Sequence, residues 1–108
     1  MTISWEEFIT NLKDEAGALA KAELIDLVTG TRKDSNEFLK RQGRKLERYL
    51  KQLANGQITK EQLEGYMRDI KTLTETQALK MSVAAKARAQ KLAQGIGELV
   101  LNKLLRLI

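Results

Sequence analysis

Six basic side chains, Lys40, Arg41, Arg44, Lys45, Arg48 and Lys51, recur at helical spacing inside one short stretch, and they form the sharpest chemical pattern in the chain. A row of Lys and Arg on an exposed helix face displaces counterions from nucleic acid or draws in anionic lipid headgroups. These six are therefore the candidate phosphate-binding residues. Two plainer roles compete with that one. A basic row can simply be a solvated face, or it can pair with an acidic neighbour across a helix interface. The nearby Tyr49 falls on the opposite, apolar side, so no aromatic platform for bases accompanies the row.

Other reactive chemistry is scarce. With no His and no Cys, the chain lacks the usual zinc and haem ligands, the Ser-His-Asp and Cys-His pairs, and any disulfide. Carboxylate pairs occur at Glu6/Glu7 and Glu61/Glu64. Both sit where the first turn of a helix favours negative charge, which explains them without catalysis. No loop between strong helix signals is long enough to build a shaped pocket. The expectation is a protein that is not an enzyme, with no catalytic residue, no metal and no cofactor. No small-molecule substrate is expected either.

The elements that would carry the basic row announce themselves by their starts. Ser4 with Glu7 spells a capping box, and Ile3 with Phe8 stands at the staple positions around it. Thr59 with Gln62 and Ile58 with Leu63 repeat both signals, just after Asn55-Gly56, a pair suited to a left-handed turn. Between them, Gly30 is expected to close one helix and Asp34 with Glu37 to open the next. The chain therefore divides as a single domain, 1–108, with helix one about 5–29, helix two about 35–54 and helix three about 60–107. Pro 0 and a composition 43% hydrophobic and 31% charged agree with an all-α fold.

In helix one, Trp5, Phe8, Ile9, Leu12, Ala16, Leu19, Ala20 and Leu27 share a face, and Glu23 interrupts it. A rotation of the last turns, bringing Leu24, Ile25 and Val28 inward, accounts for that break better than a buried charge does. In helix two, Phe38, Leu39, Leu46, Tyr49, Leu50 and Leu53 oppose the basic row. Charge is segregated along the chain. Residues 1–30 carry −4, residues 31–60 carry +6 and residues 61–108 carry +3, which accounts for the net +5.

Helix three repeats every eleven residues: Leu63, Thr74, Ala85, Ile96, Leu107; Met67, Ala78, Ala89, Val100; Ile70, Met81, Leu92, Lys103. That period keeps an apolar stripe nearly straight over many turns. An unbroken helix would run ~72 Å at 1.5 Å per residue. Interruptions are expected near 72–77, where Thr72, Thr74 and Thr76 weaken the helix, or near 95–97, at Gly95 and Gly97. Ala85, Ala89, Ala93 and Gly97 recur every fourth residue, either as a groove for a close-packed helix or as good helix formers.

The last ten residues hold seven large apolar side chains and need cover. The whole then reads as two shorter antiparallel helices plus one long C-terminal helix, a bundle completed by dimerisation. Its expected interface is Ile70, Met81, Leu92, Ile96, Val100, Leu104, Leu105 and Ile108. The expected role is a non-catalytic structural or protein-interaction module acting as a homo-oligomer, coiled-coil-like in its pairing. Two alternatives are a nucleic-acid-associated protein and a peripheral membrane protein lying on its basic, amphipathic C-terminal helix. An acidic, polar N-terminus without an apolar run, and the lack of a long uncharged span, point to a cytoplasmic protein.

Overall fold

The computed structural model describes the backbone of residues 17–104 and the side chains of 23–103. Four α-helices fill most of that range: α1 (Gly17–Arg32), α2 (Glu37–Ala54), α3 (Lys60–Ala78) and α4 (Val83–Gly95). From α4 the chain continues into a π-helical segment, Ile96–Leu104. Among the described residues there are no strands. The expected capping box at Ser4 and Glu7, and the apolar face from Trp5 to Ala20, fall outside the residues whose side chains are described.

Each helix packs against its neighbour in sequence, and α1 closes the ring against α4 and the π-helical segment. Cross-helix pairs fix the directions. Tyr49 of α2 stacks on Tyr66 of α3 with ring centroids 4.5 Å apart. Asp34, just after α1, pairs with Arg88 of α4, while Glu23 lies 4.0 Å from Lys103. The last two pairs set α1 antiparallel to α4 and the π-helical segment, in a helical bundle measuring 37 × 26 × 22 Å.

Those dimensions correct the expectation of one long C-terminal helix. The chain folds back after Ala78, beyond the threonine-rich stretch expected to fail. Thr76 Oγ1 donates to the Thr72 carbonyl at 2.9 Å, a back-bond that loosens a helix. The amides of Leu79, Lys80 and Met81 then bond three residues back, to Thr76, Gln77 and Ala78, tightening the last turn. Ser82 caps the next helix, its hydroxyl accepting from the Ala85 amide at 3.4 Å. The second expected weak point, 95–97, is where α-helical bonding gives way to the π-helical segment.

Three other boundaries differ or agree in informative ways. Helix α1 runs through Gly30 to Arg32, so Gly30 does not close it. The N-cap of α2 is Asn36, whose side chain accepts from the Leu39 amide at 3.1 Å; Asp34 instead accepts from the Asn36 amide and bonds Arg88. At α3 the Thr59–Gln62 capping box is complete, and Gly56 before it takes the left-handed φ of 75°.

Inside the ring lie Leu24 and Val28 of α1, Leu39, Leu46 and Leu50 of α2, Leu63, Met67 and Ile70 of α3, and Ala89 and Leu92 of α4. Ile96 and Val100 of the π-helical segment complete that core. Leu24 and Val28 turn inward, Ile25 is half-buried and Glu23 stays 43% exposed. The small residues Ala85, Ala89 and Ala93 also face inward. Gly43 of α2 is the closest crossing. A Cβ placed there would stand 2.5 Å from the Arg32 amide nitrogen and 2.7 Å from the Thr31 carbonyl carbon.

The Asp34–Arg88 pair ties the α1–α2 turn to α4, and it titrates. Burial pushes the Asp34 carboxyl upward, yet the bonds from Arg88 and the Asn36 amide outweigh it and hold it below its ordinary 3.8. Glu47 is likewise held below 4.5, where burial is outweighed by Lys51 and Arg32. A carboxyl depressed in the folded state contributes stability above its unfolded pKa and loses it as pH falls through the folded value. Urea unfolding from pH 7 downward should therefore show stability level until about pH 5, then falling. The Asp34→Asn, Glu47→Gln variant should lose much of that slope; an unchanged slope would reject the two carboxylates as its source.

Candidate anion-binding face

The basic row lies along one side of α2 because its apolar residues, Leu39, Leu46 and Leu50, are fully committed to the core. Arg41, Arg44 and Arg48 are exposed, and Lys40, Lys45 and Lys51 are half-buried along their stems. Lys40 pairs with Glu37 at 3.5 Å and Lys51 with Glu47 at 2.7 Å. Arg48 lies 5.1 Å over the Tyr49 ring. Arg41, Arg44 and Lys45 have no ion pair among the described residues.

Sequence spacing missed five residues of this face, Glu47 and Gln52 on α2 itself and three from outside it. Arg32 reaches it from the end of α1, bonding Glu47 at 2.6 Å. Asn55 and Gln57 reach it from the α2–α3 turn. Together with Arg44, Arg48, Lys51 and Gln52 they line an open groove of about 420 Å³. Arg32 was visible only as part of a link between helices. Its position follows from the Gly43 crossing, which presses the last turn of α1 onto α2.

The expected dimer residues lie elsewhere. Ile70, Leu92, Ile96 and Val100 are buried in the chain's own core, and Met81 is half-buried against it. Leu104 ends the π-helical segment, its side chain outside those described, and Leu105 and Ile108 lie outside the described residues. The described part of the seam that called for a second copy, from Ile70 to Val100, packs in a core shared with α1 and α2. Within 80–103, Ala85, Ala89, Leu92, Ala93, Ile96 and Val100 are buried in the bundle, whereas Val83 is exposed.

Among the described residues no cluster of three or more carboxylates is placed to hold a metal ion. None of the described helices is long and apolar enough to cross a membrane. The class defined by this geometry is an all-α bundle with one basic face. The chain matches no protein-family model, no curated protein and no solved structure.

Proposed function

We propose that this chain is a non-catalytic interaction module that binds phosphate-bearing polymers, nucleic acid first among them, through the basic face of α2. One observation carries the reading: Arg32 and Lys51 hold a single carboxylate, Glu47, in an open groove that Arg44 and Arg48 also line. Arg41 and Lys45 extend the positive surface along the helix. A merely solvated face would need no convergence of cations from a second helix. The opposite sign of the N-terminal segment, residues 1–30 at −4, suits a module that presents one charged side to its partner.

Fluorescence anisotropy with labelled DNA and RNA oligomers tests the reading. If about three phosphates are engaged, affinity should fall roughly 40-fold as salt rises from about 50 to 200 mM. Arg44→Glu with Arg48→Glu should weaken binding for every sequence and shallow the salt slope. Affinity indifferent to salt, or to those reversals, would reject the basic face.

A further inference from the structure

Glu47 occupies an unusual place for a surface carboxylate. Its side chain is only 12% exposed, and each oxygen serves a different cation. Oε2 accepts from Arg32 of α1 at 2.6 Å, and Oε1 pairs with Lys51 of α2 at 2.7 Å. The two oxygens each hold a cation from a different helix, contacts that the oxygens of a phosphate can also make. Arg44 and Arg48 line the same groove, and so does Asn55, whose buried Nδ2 has no hydrogen-bond partner among the described residues. That donor lies just beneath the groove surface, where a side-chain rotation on ligand entry would bring it to an incoming oxygen.

From this arrangement we infer that the groove is a phosphate monoester site in which Glu47 stands in for the ligand. An entering phosphate displaces the carboxylate from Arg32 and Lys51 and takes the Asn55 amide as well. The inference rests on the anion-binding reading of this face and narrows it to one pocket and one ligand class. Charge selects the monoester. A phosphodiester carries one negative charge, the same as the carboxylate it would replace, whereas a monoester carries close to two at pH 7 and offers three free oxygens. The C-terminal end of α2 opposes any anion with about half a negative charge. Four cations against that half-charge and Glu47 leave the groove positive. Its volume of about 420 Å³ is within the range of small-ligand sites.

The test uses the full chain and a short oligothymidylate, labelled at its 3′ end, with and without a 5′-phosphate. The phosphorylated form should bind about tenfold more tightly, the size of one charge-assisted hydrogen bond. Asn55→Asp and Arg32→Gln should each bring the ratio of the two affinities close to one, while also weakening the salt-sensitive binding of the unphosphorylated strand. Lys33→Gln removes the same charge as Arg32→Gln one residue away and should leave the preference intact. Glu47→Gln frees both cations, so it should tighten binding of the phosphorylated strand. Inorganic phosphate and thymidine monophosphate, as competitors, separate the two sources of a monoester. Displacement at equal concentration assigns the site to small phosphate esters, and displacement only at large excess assigns it to a nucleic-acid end. No preference for the 5′-phosphate, or weaker binding by Glu47→Gln, overturns the groove inference. Should both strands still bind with salt sensitivity in that case, the broader basic-face reading survives. If neither strand binds, both readings fall.

Discussion

Replacing Gly43 by alanine should lower the unfolding free energy by about 1–2 kcal/mol, even though alanine is the better helix former. Helix propensity alone favours alanine by about 0.5–1 kcal/mol. Against that stands the added methyl, which would meet the Arg32 nitrogen at 2.5 Å, the Thr31 carbonyl carbon at 2.7 Å and the Arg32 Cα at 2.8 Å. All three are backbone atoms, so no rotamer change relieves the clash, and the last turn of α1 must move as a unit. Overpacking of this kind costs roughly 1–3 kcal/mol, and the rigid neighbour puts it at the upper end. Gly65 supplies the opposite case within the same protein. Nothing lies within 4 Å of a Cβ there, so Gly65→Ala should stabilise by about 0.5–1 kcal/mol. Urea unfolding of both variants reads the comparison directly, and a Gly43→Ala protein as stable as the parent would remove the close crossing of α1 and α2. Because Arg32 belongs to that crossing, phosphate binding should weaken with it.

Ile96→Ala tests where the C-terminal seam is sheltered. Ile96 is completely buried in the single chain. Truncating a buried isoleucine removes its transfer free energy and leaves a cavity, together about 2–5 kcal/mol. The parent and the variant should each unfold at a midpoint independent of protein concentration, since the covering side chains belong to the same molecule. If Ile96 were instead shared between two copies, dilution would lower the midpoint through mass action. Thermal unfolding across a wide concentration range distinguishes the two.

The eleven-residue period marked the core of the second half with few errors. Leu63, Met67, Ile70, Thr74, Ala78, Ala85, Ala89, Leu92, Ile96 and Val100 are all buried. Yet the same period suggested one rod, and the chain is a hairpin. A periodic stripe records which side of a helix avoids water and nothing about what covers it. When a rod folds at Leu79–Ser82, both arms still turn the same stripe inward, so the pattern survives the break. The break itself was hard to see because it uses neither glycine nor proline, only a serine whose hydroxyl caps the new helix. Local signals fared best where they are self-contained, as in the Thr59–Gln62 box. They misled where a distant partner intervened: Asp34 looked like a helix cap, but Arg88, 54 residues away, claims its carboxylate.

The candidate site shows the same division. The six basic residues of α2 were legible because they sit on one helix, and their spacing alone gives them a common face. Arg32, Glu47 and Asn55 were not, because a groove between elements depends on how closely those elements approach. Gly43 sets that approach. Its significance is invisible in a sequence, where a lone glycine inside a helix reads as a small penalty rather than as room for another backbone.

The nearest-neighbour pairing of the bundle also bears on how quickly it assembles. Most of its packing joins segments adjacent along the chain, so little loop entropy is spent before contacts begin to reward it, a topology associated with folding in about microseconds to milliseconds. The long-range exceptions are the packing of α3 on the π-helical segment and of α1 on α4 and that segment, the latter bridged by Asp34 and Arg88.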